Sequence, residues 1–256
     1  MSHRIRSALA RILAPPPPAI PNDAASSVEN EHFVPAFGLD ARTYIAAGDT
    51  AGAHHLIRYQ WACDVLTRDR PQGAVLDIAC GAGYGNFLLA QALPECPVIG
   101  ADYDDSAIRH AREHDHLPNL KFQHGDVLRW IETLTDRAFA AIVSFDTLEH
   151  CPHREIMLEN LARHLTDDGR LLFSTPSAWD ENRLHPEWTH HKIEYAAASL
   201  YDFLARYFRE IRRPEESDFP GHMVFDVFEG APVPYCLRLN PVWCRSPIRV
   251  DNPYRA

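Results

Sequence analysis

Val75-Leu76-Asp77-Ile78-Ala79-Cys80-Gly81-Ala82-Gly83-Tyr84-Gly85 is an apolar run that meets an acid, crosses a glycine-rich turn and enters a helix-like segment from Asn86 to Ala92. Glycine tolerates positive φ and lets backbone come close to a ligand, so the stretch reads as strand, binding loop and helix. A dinucleotide fingerprint G-x-G-x-x-G would use Gly81 and Gly83 and then need glycine at position 86. Asn86 stands there, and that pattern fails. Asp77, four residues before Gly81, is the feature left to explain.

Outward from this turn, strand and helix signals alternate. Ala74 to Ala79 is a buried strand, and the helix after it runs to about Leu93. Val98 to Ala101 is a strand that ends at Asp102, Ser106 to His114 a helix, and Leu120 to Gln123 a short strand before Gly125-Asp126. Phe139 to Phe145 is a strand that ends at Asp146, and Ile156 to Leu165 a helix. Thr166 to Gly169 is a turn, and Arg170 to Ser174 the next strand. Such alternation predicts a parallel sheet with right-handed crossovers, with ligands at the carboxyl ends of the strands. Upstream, Leu56, Ile57, Trp61, Ala62 and Leu66 predict a helix from His54 to Thr67, after cap-like residues Asp49 to Gly52. Beyond Thr175 the rhythm changes to a polar loop (Pro176 to Lys192), a helix (Ala196 to Tyr207) and two late strands, Phe208 to Arg212 and Met223 to Phe228.

A chain of 256 residues can bury one large α/β core. Residues 1–30 are expected as a flexible, Pro-rich N-terminal tail, in which Pro15 to Pro18 and Pro21 form a stiff, extended linker. The folded domain is expected over 31–235, with 236–256 as an extension that packs on the sheet, mediates a dimer or stays mobile. Ser2 to Ala14, with three arginines, is either a frayed tail or a weak peripheral membrane contact. It lacks the h-region of a signal peptide, and no apolar run approaches a transmembrane length. The net charge of −10 disfavours nucleic acid as a partner, because phosphate binding needs a basic footprint. Six scattered cysteines without C-x-x-C suit a reducing, cytoplasmic setting. The oligomeric state stays open.

The tandem motifs resemble those of class I S-adenosylmethionine-dependent methyltransferases. Asp77 to Gly85 is similar to their first motif, Val98 to Asp104 to the second, and His124-Gly125-Asp126-Val127 to the third. Ser144 to His150 resembles the segment after the fourth strand of the small-molecule branch, and Arg170 to Pro176 its fifth strand. The resemblance implies a Rossmann-like α/β fold: a seven-stranded, mostly parallel sheet, helices on both faces, last strand antiparallel. It implies S-adenosyl-L-methionine as cofactor, held by carboxylates and loop backbone. Asp77, Ala79, Gly81 and Gly83 would shape the methionine end. Asp102 would accept the ribose hydroxyls, since a diol offers two donors to two oxygens, and Tyr103 would lie against the adenine. Asp126 and the Val127 N–H would meet the adenine edge, and Phe145 would line the site. Glu31-His32-Phe33-Val34-Pro35 and His54-His55-Leu56-Ile57-Arg58-Tyr59 resemble methyltransferases of bacterial O-antigen and other polysaccharide clusters. His32, His54 and Ala82 depart from that pattern, which has an arginine and two glutamates there. Arg58 keeps it, as a partner for the methionine carboxylate.

The acceptor is then a small molecule or a glycan, and a sugar hydroxyl needs its proton removed before it attacks. His190 and His191, in the loop after the fifth strand, are the first candidates for that base and His150 the second. Trp179 and Trp188 of the same loop suit sugar stacking. A quinone, lipid or natural-product acceptor is the alternative, as is a cofactor-binding protein without turnover. No metal is assigned: Glu149, His150 and His153, or His185, His190 and His191, cluster without the helical H-x-x-x-H spacing of a zinc protease.

Overall fold

The computed structural model describes residues 32–130, 134, 138–178, 181–184, 186, 190–214, 225–228, 231–234 and 241–249. The N-terminal tail, Glu31, Trp179, His185, Trp188, Met223 and Cys236 lie outside the described residues.

Two helices precede the sheet. α1 (Ala41–Ala47) begins where the Asp40 carboxylate accepts the Arg42 N–H and ends at Gly48 with φ 78°, the left-handed stop that glycine allows. α2 (Thr50–Asp69) starts four residues before the apolar periodicity does, because the Asp49 carboxylate caps it by accepting the Gly52 N–H at 2.8 Å. Then come β1 (Val75–Ile78), α3 (Tyr84–Ala92), β2 (Val98–Asp102), α4 (Asp105–His114), β3 (Leu120–His124), β4 (Phe139–Phe145), α5 (Arg154–Arg163) and β5 (Leu165–Ser174). The later elements are β6 (Ser177–Ala178), β7 (Arg183–Leu184), β8 (Ile193–Ala196), α6 (Ala197–Leu204), β9 (Phe208–Arg212), β10 (Phe225–Phe228), β11 (Ala231–Pro234) and β12 (Val242–Pro247).

Seven strands form the main sheet in the order β3-β2-β1-β4-β5-β12-β9. The first five are mutually parallel, and β12 runs antiparallel to both its neighbours. This is the expected Rossmann-like class. Alternate residues feed two apolar layers. Val75, Val98, Ala141, Val143 and Leu172 meet α1, α2 and α3, whereas Leu76, Ile78, Ile142, Leu171 and Phe173 meet α5 and α6. All four residues of β1 are buried, as a central parallel strand covered on both faces requires.

Three expectations are corrected. Met223 to Phe228 does not supply the last strand of the sheet. Phe225–Phe228 pairs with Ala231–Pro234 in a separate hairpin, and the antiparallel strand is Val242–Pro247, inside the segment expected as an extension. Pro241 and Pro247 bracket that strand and read as breakers in sequence. Thr166 to Gly169 is not a turn between elements but a bulge within β5: Phe139 pairs with Leu165 and Ala141 with Arg170, leaving Ala140 opposite all four residues. The stretch Pro176 to Lys192 is not wholly loop, since β6 and β7 flank β8 in a small three-stranded sheet.

Candidate active site

The carboxyl ends of β1, β2 and β4 each carry an acid: Asp77 within β1, Asp102 closing β2 and Asp146 just after β4. Between β1 and α3 the backbone turns through left-handed conformations at Ala79 (φ 63°), Gly81 (φ 54°) and Gly83 (φ 90°). At Gly83 a side chain has no room, since a Cβ would sit 2.6 Å from the Ala111 Cβ and 2.9 Å from the Phe122 ring. Ala79 takes that conformation without being glycine, at a cost of about 1–2 kcal/mol. Its N–H donates to the Ala101 carbonyl at 2.8 Å, which locks the loop to β2. No side chain caps the first turn of α3.

Asp102 is 2% exposed. Its Oδ2 accepts the Gly81 N–H at 2.8 Å and its Oδ1 the Asp104 N–H at 2.9 Å. The carboxylate therefore joins the loop of β1 to the end of β2 and keeps one further lone pair on each oxygen for a diol. Burial raises its pKa against these two bonds. Tyr103 projects beside it at 63% exposure. Asp126 bends the chain after β3 by accepting the Leu128 N–H at 2.7 Å, and Val127 is buried, its carbonyl taking the Asn160 amide.

Asp77 is fully buried. Its Oδ2 accepts the Tyr59 hydroxyl at 2.9 Å, and its Oδ1 has no hydrogen-bond partner. Burial pushes its pKa up to about 7; the Tyr59 bond opposes the shift and the nearby Asp102 charge adds to it. An orphaned buried carboxylate oxygen above a left-handed cradle fits a ligand that brings positive charge or donors, as S-adenosylmethionine does. Tyr59 enters the sequence reading only as the last residue of the His54–Tyr59 motif, with no role assigned. It lies three turns into α2, and nothing local signals a partner 18 residues away.

Arg58 is buried with its guanidinium on Asp146; the same Nη1 donates to the Ser174 hydroxyl at 2.9 Å, and Nη2 meets His55 Nδ1 at 3.1 Å. It also lies over the Phe145 ring at 5.6 Å. The arginine expected on the methionine carboxylate is thus engaged with a carboxylate of the protein. Burial would raise Asp146, but the Arg58 charge overcomes it and holds Asp146 below the usual range. His55 goes down to about 4, through burial and the Arg58 charge.

The segment before α1 covers this floor. His32 Nε2 bonds Asp104 Oδ2 at 2.9 Å, and its ring lies 3.2 Å from where a Gly81 Cβ would be. Phe33 stacks on His55 with centroids 4.6 Å apart and meets Tyr84 edge-on at 5.2 Å.

Of the predicted catalytic histidines, the side chains of His150 and His191 come together, and His190 joins them through its backbone carbonyl. A short 3-10 turn, Leu148–His150, follows Asp146. The His150 and His191 rings meet edge-on at 4.9 Å, and His150 Nδ1 bonds the His190 carbonyl at 3.2 Å. His191 Nδ1 bonds Glu194 Oε1 at 2.8 Å. Below them Glu149 is fully buried, with Oε2 accepting the Thr175 hydroxyl at 2.8 Å and Oε1 3.8 Å from His150 Nε2. Its carbonyl accepts the Lys192 N–H at 2.6 Å, so backbone holds the loop of His190 and His191 to the end of β4. Burial and the Asp146 charge raise the Glu149 pKa well above the carboxylate range. His153 turns elsewhere, to Glu155 at 3.7 Å. Glu194 was missed in sequence as the partner of His191; its three-residue spacing at the entry to β8 is the signal that could have found it.

The family described as "Methyltransferase domain" matches residues 69–212. The chain is similar to a trans-aconitate 2-methyltransferase of Rhizobium meliloti, 32% identical over 47% of this chain and 46% of the relative. It is also similar to a probable S-adenosylmethionine-dependent methyltransferase of Mycolicibacterium smegmatis, 30% identical over 61% of this chain and 56% of the relative. The matches thus span about half the length of these curated relatives. In fold it is similar to the N-terminal domain of EvdMO1 with S-adenosylhomocysteine bound, with a TM-score of 0.52, 17% identity, and coverage of 74% of this chain and 81% of that one.

Proposed function

Because this chain belongs to the methyltransferase-domain family and depends on S-adenosylmethionine, we propose that it methylates a hydroxyl of a sugar or glycan intermediate, as polysaccharide-modifying enzymes do. The observation that carries the reading is the pairing of the His150 and His191 imidazoles beside Glu149 and Glu194, with the His190 carbonyl bonded to His150. A hydroxyl holds its proton at neutral pH and needs a base within reach; a carboxylate acceptor does not. S-adenosylmethionine held at this site would supply an activated methyl to the acceptor oxygen and leave as the neutral thioether, and a histidine nitrogen would take the hydroxyl proton.

The chain's own residues align and shield. Asp102 and Tyr103 hold the ribose and adenine end with Asp126 and Val127. Asp77, Ala79, Gly81 and Gly83 form the floor under the methionine end, with Phe145 beside it and Arg58 acting through Asp146. His191, whose Nδ1–H is turned to Glu194, presents Nε2 as the acceptor of the proton. We assign the activity to the unit at 31–235 completed by β12, with 1–30 as a tail, working in the cytoplasm, where the free cysteines stay reduced.

A second reading has one observation in its favour: the similar Rhizobium meliloti protein is named for trans-aconitate, a carboxylic acid. Radiolabelled methyl transfer by the full chain, offered nucleotide sugars, lipid-linked glycans and small di- and tricarboxylic acids, separates the two. We expect transfer to a sugar that falls about 10²–10⁴-fold in His191→Ala. Transfer to carboxylic acids alone, untouched by that substitution, overturns the hydroxyl reading.

A further inference from the structure

We propose that Glu149, His150 and His191 form a binding site for one divalent transition-metal ion at the acceptor end of the active site. One donor atom from each residue lies within 4.8 Å of the other two. An ion at the usual bond lengths of about 2.0–2.2 Å needs these atoms to draw in by about an ångström, which side-chain rotation supplies.

Three independent features point the same way. Glu149 Oε1 is buried without a hydrogen-bond partner, while Thr175 anchors the other oxygen of the same carboxylate. A buried polar atom left over in this manner calls for a ligand. The two imidazoles are oriented as metal ligands are. His191 Nδ1 is bonded to the Glu194 carboxylate and His150 Nδ1 to the His190 carbonyl, so each ring carries its proton on Nδ1 and its lone pair on Nε2. A carboxylate or carbonyl behind the far nitrogen is the usual support of a metal-bound histidine. Finally, the site is anchored on one side and open on the other: Glu149 is sealed in the core, whereas the His150 side chain is 45% exposed. Three protein ligands with positions left open toward solvent describe a site that also takes an oxygen of a substrate.

Two imidazoles and one carboxylate favour a borderline first-row ion such as zinc, with manganese as the harder comparison, over magnesium or calcium, which prefer all-oxygen shells. Asp146, with Arg58 on its far side, adds negative charge nearby. On the loaded protein the ion takes the place of His191 as the means of activating the acceptor: it would bind the hydroxyl as a further ligand and lower its pKa so that the proton leaves to water, because a His191 Nε2 held by the ion cannot also accept it. That role rests on the hydroxyl reading above; the binding itself does not.

The test is calorimetric titration of the metal-stripped full chain with Zn²⁺, and separately with Mn²⁺. We expect one saturable ion per chain, bound at least about tenfold more weakly in Glu149→Gln and in His191→Ala. Glu194→Gln keeps all three ligands and removes only the support of His191; it should cost about 10–100-fold. The stacked pair His110 and His114, on α4, could bind zinc by itself, so His114→Ala must leave the affinity unchanged. S-adenosylhomocysteine binding by each variant reports separately that the fold and the cofactor site persist. Absence of one-to-one binding by the parent protein overturns the proposal. So does affinity that survives loss of Glu149 and His191 in chains that still bind S-adenosylhomocysteine.

Discussion

Asp102 and Asp77 are both buried carboxylates at strand ends, yet their surroundings give them different work. Asp102 is satisfied by two backbone N–H groups, so its substitution removes a brace of the loop as well as a ligand contact. Asp102→Ala should weaken S-adenosylhomocysteine binding at least tenfold, about 1.4 kcal/mol, by calorimetry. Asp77 has one oxygen unpaired and a pKa pushed up to about 7, against about 4 in an unfolded chain. The folded state therefore binds its proton more tightly than the unfolded state does. The stability this confers is full below about pH 4 and is lost as pH rises to about 7, a change of a few kcal/mol. Asp77→Asn should flatten the dependence of denaturant stability on pH across that window. A slope unchanged by the substitution would assign the dependence to other groups. At this scale the sequence disclosed the acids, because each follows an apolar run. It did not disclose Tyr59 on Asp77 or Asp146 on Arg58, since those pairings span 18 and 88 residues and depend on how α2 lies on the sheet.

The elements were legible where the apolar period was uninterrupted. Phe139–Phe145 and Phe208–Arg212 fall where the pattern puts them. Boundaries moved where a side chain rather than a pattern sets them, as with the Asp49 cap of α2. The packing of α2 on α3 has a similarly local cause. A Cβ on Gly85 would come 2.1 Å from the Tyr59 ring, so this glycine is what lets the two helices meet while Tyr59 reaches Asp77. Gly85→Ala should cost about 1–3 kcal/mol of stability by overpacking and also lower cofactor affinity, because Tyr59 must leave its carboxylate. Tyr59→Phe, which keeps the ring, should reproduce the affinity loss with a smaller loss of melting temperature. The meeting of His150 and His191 is likewise a property of elements: the backbone bond from Lys192 to Glu149 brings two stretches 43 residues apart into one cluster.

On the scale of the whole molecule, β12 decides whether the sheet is one object. It lies between β5 and β9, buries Val242 and Cys244 completely, and sets Trp243 between Arg170 and Arg212 at 4.5 and 5.1 Å. Arg249, just past it, donates to the carbonyls of Arg163, the last residue of α5, and Leu165, the first of β5, at 3.0 and 2.6 Å. A chain cut after residue 240 should lose cooperative unfolding and bind S-adenosylhomocysteine at least tenfold more weakly, as circular dichroism and calorimetry would register. Sequence missed this strand because two prolines frame it and its partners lie 69–75 and 31–39 residues upstream of it. The placement also has a consequence for synthesis. Leaving the ribosome, β5 and β9 emerge before the strand that must slide in between them, so for an interval the growing chain carries two unsatisfied strand edges side by side. Those edges are open to each other in the wrong register and to neighbouring chains. Factors that shield nascent chains would therefore matter most for this protein in the short time before Val242–Pro247 is made.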